Sequence, residues 1–236
     1  MKKSILPILF FFLCFSFTQA QEFSFGLKGG LNYAMGGEIV GLQSLVDTEL
    51  VYSSDTFNPE SSIGFHGGAF IEMRFGNFFI RPEALYISSE TEFTLVNITS
   101  SYTVDQLTIP LLVGYNVYGP IDVYAGPAYN NIIEGNLEGT ANAIVVQNSP
   151  LAAQAGIKAG VGRFELDLRY SRSLASEDLQ EINVSNDSTI SGGVSERDGV
   201  NRANFDGRLH HVLLSLSFKL FDSSANPRRR SGGCYF

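Results

Sequence analysis

His66 and His211 are the residues from which acid–base or nucleophilic chemistry would have to start. The chain holds only three histidines, His210 being the other. Glu60 and Asp206 stand a few positions away in sequence, and an Asp/His or Ser/His/acid arrangement needs its members within hydrogen-bond reach of one another. No serine occupies a G-x-S-x-G elbow, so no nucleophile can be named. The plainer role of both histidines is to cap a polar interior. Residues 34–60 carry Glu38, Asp47, Glu49, Asp55 and Glu60 with no basic residue. Such a set could hold Ca2+ weakly or bridge anionic lipid through divalent ions, but its spacing matches no EF-hand. Cys14 and Cys234 are the only thiols, and neither stands in a CxxC or Cys/His zinc spacing. The sequence therefore assigns no catalytic, cofactor-binding or metal-binding residue.

What positions these side chains is decided first at the N-terminus. Met1-Lys2-Lys3 precedes the apolar run 5–17, and Thr18-Gln19-Ala20 follows it. A basic start, a short apolar core and small residues at its end make a secretory signal peptide, cut between Ala20 and Gln21. The run is shorter than the roughly 18 residues of a membrane-spanning helix. Phe11, Phe12 and Leu13 before Cys14 do not make a lipobox. Removal of Lys2 and Lys3 leaves 14 basic against 24 acidic residues, an excess of acid that repels phosphate backbones and argues against nucleic acid as a partner. Past Ala20 no stretch approaches 18 consecutive apolar residues. If this chain crosses a bilayer, it does so as strands.

Period 2 runs through almost the whole mature sequence, and a period of 3.6 appears nowhere. In 164–171, Phe164, Leu166, Leu168 and Tyr170 alternate with Glu165, Asp167, Arg169 and Ser171; 211–220 repeats the pattern. Eight segments follow, at 22–33, 61–75, 78–92, 102–117, 121–133, 151–162, 164–175 and 208–221. Gly76-Asn77, Tyr118-Gly119-Pro120 and Gly162-Arg163 mark tight turns. The other connections, 34–60, 93–101, 134–150 and 176–207, read as long polar loops. Short turns alternating with long loops predict an all-β fold: an eight-stranded antiparallel up-and-down transmembrane β-barrel with short periplasmic turns and long extracellular loops. The organisation is a signal peptide over 1–20, the barrel over 21–221 and a polar C-terminal tail over 222–236.

A soluble lipocalin-like barrel also alternates, so charge must choose between the two. Lys28, Glu72, Arg74, Arg81, Glu83, Asp122, Lys158, Glu165, Asp167, Arg169 and Lys219 share the polar face. Facing Arg or Lys toward mid-bilayer lipid costs roughly 2–4 kcal/mol each. In a membrane this face must therefore line the lumen, where near-balanced signs can form a polar network. Gly26, Gly30, Gly68, Gly114, Gly126, Gly156 and Gly160 fall on the same face and suit a narrow interior. On the apolar face, Phe75, Phe78, Tyr115, Phe164 and Phe218 fall at the turn ends. Tyr33, Phe65, Tyr86, Tyr129 and Tyr170 fall at the loop ends. These are two aromatic girdles, as at two membrane interfaces.

Several segments resemble the PorT-like outer-membrane β-barrel proteins: "FGLKGGLNY", "GFHGGAFIEMRFGNFFIRPEALY", "LTIPLLVGYNVYGPIDVYAGPAY" and "GRFELDLRYSRSL". The resemblance implies a barrel in the outer membrane of a Gram-negative cell envelope, in a family whose founding members are associated with type IX secretion and gliding. It also implies local bulges at Pro82, Pro110 and Pro127, since similar prolines recur in the family's strands. The expected partners are outer-membrane lipid and lipopolysaccharide, with a protein partner in the envelope open. The chain is expected to be a non-catalytic monomer with a structural or interaction role. The alternative is an outer-membrane enzyme, a lipid A or protein hydrolase, with its site at the extracellular rim near His66 and His211. The tail after Phe221 reads as a polar periplasmic extension. Mass spectrometry of protein recovered from cells should find Gln21 as the first residue; an N-terminus upstream of Ala20 would contradict the leader reading.

Overall fold

A computed structural model describes residues 21–46, 49–57, 60–95, 98–137, 150–174, 180–183 and 202–225. The expected leader over 1–20, Asp47 and Cys234 lie outside the described residues. Eleven strands run through the described chain: β1 (Gln21–Val46), β2 (Glu49–Phe57), β3 (Glu60–Ser61), β4 (Ile63–Phe75), β5 (Phe78–Leu95), β6 (Ile98–Tyr118), β7 (Ile121–Leu137), β8 (Leu151–Val161), β9 (Phe164–Ser173), β10 (Gln180–Asn183) and β11 (Arg202–Asp222). The antiparallel ladder passes from β1 through β4, β5, β6, β7, β8 and β9 to β11, which pairs back onto β1. Eight strands thus form a closed barrel. β2, β3 and β10 are additions at one rim, on β1, β5 and β11 respectively.

Closure is what the membrane demands, because hydrocarbon offers no partner to an unpaired backbone group. Among the described residues no helix is long and apolar enough to cross a membrane. The alternation in sequence becomes two faces. Along β9 every second residue is buried, beginning at Glu165 and ending at Ser173, while Phe164, Leu166, Leu168 and Tyr170 face outward. The outer surface is correspondingly apolar, with Leu27, Leu31, Val113, Ile157, Leu214 and Leu216 each about half exposed. At one end, β4–β5, β6–β7 and β8–β9 are joined by tight turns. Gly76, Gly119 and Gly162 adopt φ of 61°, 53° and 63° there, the left-handed region where a Cβ is penalised. Ring pairs at this end include Phe78 with Tyr115 at 4.9 Å and Phe164 with Phe218 at 5.1 Å. At the seam, Phe25 stacks on Phe221 at 5.7 Å.

Three expectations need correction. The connections 34–60, 93–101, 134–150 and 176–207 are not plain loops, and β7 runs to Leu137 within the third of them. β1 continues to Val46 and pairs with β2, β5 and β6 stay paired to Leu95↔Ile98, and β10 and the start of β11 occupy part of the last connection. Beyond the membrane both faces of the wall meet water, so these extensions need no apolar alternation, and Gly, Ser and acidic residues disguise them. The second correction concerns the prolines, which cause no bulge. Pairing lapses beside Pro82 between Phe70↔Glu83 and Met73↔Ile80. It lapses beside Pro110 between Pro82↔Leu111 and Leu85↔Thr108, and beside Pro127 between Pro110↔Ala128 and Val113↔Ala125. No register shift accompanies any of these gaps; the shifts lie elsewhere, as at Asp105/Gln106 and Asn116/Tyr118. A proline removes one donor toward one neighbour, and the neighbour on its other side keeps the strand in step. The last strand, third, ends at Asp222, and a single turn, Ser223–Ala225, folds back so that the Phe23 amide donates to Ser223 Oγ at 2.8 Å.

A barrel with no free edge should resist detergent until heated. The mature protein should run at a different apparent mass with and without boiling; identical mobility in folded preparations would argue against closure.

Candidate functional site

The interior is organised in tiers along the barrel axis, and the lowest two are ionic. Near the tight turns, Lys158 pairs with Glu72 and lies 3.5 Å from both Asp122 and Glu165. Arg74 reaches Asp122 at 2.5 Å and Glu72 at 3.0 Å, and Lys219 meets Glu165 at 3.1 Å and Asp222 at 3.6 Å. Arg81 joins this tier to the next, with Glu165 at 2.6 Å, Glu83 at 2.8 Å and Glu72 at 3.1 Å. In the second tier Arg169 donates twice to Glu83, at 2.8 and 3.0 Å, and once to Asp167 at 3.2 Å. Lys28 pairs with Asp167 and lies 3.6 Å from Glu83. The structure therefore brings all eleven charged residues of the polar face into one connected cluster. Arg74 and Lys219 keep some exposure at its edge, and the others are almost wholly enclosed.

Some members of the cluster carry no charge, and reading charges alone overlooks them. The Arg81 guanidinium lies 3.7 Å over the Phe70 ring, and Lys158 Nζ 4.2 Å over Phe79; a ring face attracts a cation. The Tyr124 hydroxyl bonds Asp167 and accepts from Arg169 Nε at 3.0 Å, and Gln154 Oε1 accepts from Arg169 at 3.0 Å. Asn116 Nδ2 donates to Asp122 at 2.8 Å. Phe70, Phe79 and Tyr124 share the parity of Glu72, Arg81 and Asp122, so an aromatic in the charged register is the signal that marks them. The large rings need small neighbours. A Cβ on Gly114 would sit 2.2 Å from Phe79 Cζ, and one on Gly156 would sit 2.4 Å from the Tyr124 hydroxyl oxygen.

Above the ions lies an apolar band of Leu85, Ile87 and Leu213, then a neutral polar tier. His66 Nε2 is 2.8 Å from Ser215 Oγ, and His211 Nε2 is 3.1 Å from Ser89 Oγ, which also accepts from Asn32 Nδ2 at 3.0 Å. Both imidazoles are 3% exposed. Among the described residues, neither of the acids nearest in sequence bonds them. Asp206 binds Arg208 through both oxygens, Oδ1 at 3.0 Å and Oδ2 at 2.9 and 2.5 Å, and Glu60 sits exposed opposite Glu92. Among the described residues no cluster of His, Cys, Asp or Glu has metal-holding geometry. Of the acidic residues in 34–60, Glu60 alone has a described side chain.

Breaking a buried ion pair by removing one partner costs about 3–5 kcal/mol, because the other charge is stranded away from water. Arg169→Leu should therefore lower the unfolding temperature in detergent steeply. Arg163→Leu, on an exposed turn, should shift it by no more than about 1 kcal/mol allows. Leu168→Arg, on the lipid face, should impair insertion. Tolerance of Leu168→Arg together with a neutral Arg169→Leu would mean the faces are exchanged.

Comparison with known proteins agrees with this geometry. No curated protein matches the sequence. Among solved structures, the outer membrane protein OprG from Pseudomonas aeruginosa aligns with a TM-score of 0.52 at 14% identity, covering 85% of this chain and 96% of its own. The attachment invasion locus protein Ail of Yersinia pestis, in complex with the heparin analogue sucrose octasulfate, aligns at 0.36 and 10% identity, covering 86% and 100%. The outer membrane protein AlkL in DMPC bilayers aligns at 0.38 and 11%, covering 86% and 93%. The model of the outer membrane protein beta-barrel domain matches residues 19–178. With that match and a closed eight-stranded barrel in hand, the chain belongs to the outer membrane protein beta-barrel domain family and resides in the cell outer membrane.

Proposed function

We propose that this is a non-catalytic, non-conducting barrel with a structural or interaction role in the cell envelope. What carries the reading is the filled lumen: Arg81, Arg169 and Lys158 are among the largest fully buried side chains and are held by paired carboxylates from several strands. Eight strands enclose just enough room for side chains, and a continuous water path would need this cluster to come apart. An enzymatic role at the rim gains nothing from the histidines. His66 and His211 are enclosed and bonded to serines, and a base must reach the proton it abstracts in a bound substrate. The resemblance of "GFHGGAFIEMRFGNFFIRPEALY" and its companion segments to PorT-like proteins favours a place beside envelope machinery of the type IX secretion kind, with lipid and lipopolysaccharide as the standing partners of a monomer.

Two measurements test this. Reconstituted in planar bilayers, the refolded protein should show no discrete conductance steps; regular openings would overturn the non-conducting reading. Chemical crosslinking in intact cells, followed by purification under denaturing conditions, should recover a secretion component joined to this chain. A monomer free of any crosslinked envelope protein would sink the secretion link and leave a free-standing barrel.

A further inference from the structure

The ions below are fully paired, but the polar tier above them is not. Five side-chain atoms there are buried without a hydrogen-bond partner among the described residues: Asn32 Oδ1, His66 Nδ1, Thr91 Oγ1, Thr108 Oγ1 and Asn130 Oδ1. They come from five successive walls, β1, β4, β5, β6 and β7. Each residue is buried and alternates into the lumen. Burying an unsatisfied polar group costs about 1–3 kcal/mol, so these five on adjoining walls call for a partner that the described side chains do not supply.

The tier has a floor and a ceiling. Its floor is the Leu85, Ile87 and Leu213 band with Arg169 beneath. Its ceiling is Tyr102 against Phe205, whose rings meet edge to face at 5.1 Å. β6 and β11 stand four strands apart either way round the ring, so this contact spans the mouth from opposite walls. Thr91 pairs with Tyr102, which sets it beside the ceiling, and Thr108 pairs with Asn130. On the adjoining wall Ala128 pairs with Ala152, and both present only a methyl group inward. Short side chains thus line the wall beside Asn130, where the ionic tiers carry long ones.

We infer that the lumen between the Arg169 tier and the Tyr102–Phe205 pair is a closed chamber that takes small uncharged molecules bearing hydroxyl donors, admitted past that pair from the rim carrying β2, β3 and β10. The chemistry of the guest follows from the walls. Two amide carbonyls accept hydrogen bonds, two hydroxyls both donate and accept, an imidazole nitrogen does one or the other with its tautomer, and none of them offers an ion a counter-charge. Water and a small polyol such as glycerol share the required O–H donors. The chamber is compatible with a non-conducting barrel, because the ions beneath it remain in place.

Site-directed labelling tests it on the full mature chain refolded in detergent, in a Cys234→Ser background, with heat-modifiable mobility as the check of folding. Thr108→Cys should react slowly with neutral methyl methanethiosulfonate and not with its anionic sulfonatoethyl analogue. Adding Phe205→Ala, or Tyr102→Ala if that variant fails to fold, should accelerate the neutral reaction several-fold. Glycerol that slows labelling in a saturable way identifies a polyol guest, and labelling indifferent to glycerol identifies water; both support the chamber. Folded barrels in which Thr108→Cys is inert in both backgrounds have a solid interior, which overturns it. Equal reaction with both reagents, unchanged by Phe205→Ala, overturns the closed ceiling. Conductance by the unaltered protein would count against the proposed function and leave this labelling pattern as it stands.

Discussion

Hydrocarbon offers a backbone no hydrogen-bond partner, and the rest of this structure depends on that constraint. An N–H or C=O left unpaired there costs several kcal/mol, so the sheet must close, and β11 pairs with β1 from Ser24↔Asp222 to beyond Met35↔His210. The prolines show how strictly the constraint is kept. Pro82, Pro110 and Pro127 each interrupt pairing toward one neighbour only, and the three gaps fall in three different ladders. No seam is weakened twice at one level, and the unbroken pairing on the opposite side keeps every inward residue inward. A one-residue slip would turn Arg169 toward lipid and Leu168 into the lumen.

Closure with eight strands makes the interior narrow, and narrowness explains its chemistry. Long charged side chains fit because Gly114 and Gly156 stand where Phe79 and Tyr124 lie against the wall. Lys28, Arg74, Arg81, Lys158, Arg169 and Lys219 meet Glu72, Glu83, Asp122, Glu165, Asp167 and Asp222, so the cluster is balanced in formal charge. An apolar filling of the same volume would often be as stable. It would also make both faces of each strand apolar, and nothing would then decide which face meets lipid. The ions mark the inner face while the chain is still unfolded, and the same marking keeps an exported chain from presenting continuous apolar strands before insertion.

That marking is also why so much was legible in the sequence. Leu168 and Arg169 differ in where they can be placed by several kcal/mol in a membrane, and the alternation through 164–171 records that difference residue by residue. Where the difference vanishes, legibility ends. Residues 34–46 continue β1, but beyond the bilayer both faces meet water, so Gly36, Gly37 and Glu38 read as a loop. The uncharged members of the cluster were hidden for another reason. Phe70 and Phe79 sit in the charged register as beds for cations, yet aromatic residues also mark the lipid face, and parity alone separates the two uses. The Tyr102–Phe205 contact joins residues distant in sequence on opposite walls. Only the closed ring brings them together.

The tiers also limit where this protein can meet anything larger than a small molecule. The lumen is occupied, and the tight-turn end offers three two-residue connections with Tyr118 and Val161 as its most exposed apolar side chains. Among the described residues, a partner approaching from that side meets those turns and the turn at Ser223–Ala225. The opposite rim is different in scale. β1 is 26 residues long, whereas about 9–11 residues suffice to cross a bilayer in a tilted strand. The wall there is extended by β2, β3 and β10. A continued ladder fixes the path of the backbone, as a bare loop does not, and a preorganised surface loses less entropy on binding. The interaction role proposed above therefore rests on the raised rim, with the ionic lumen beneath it.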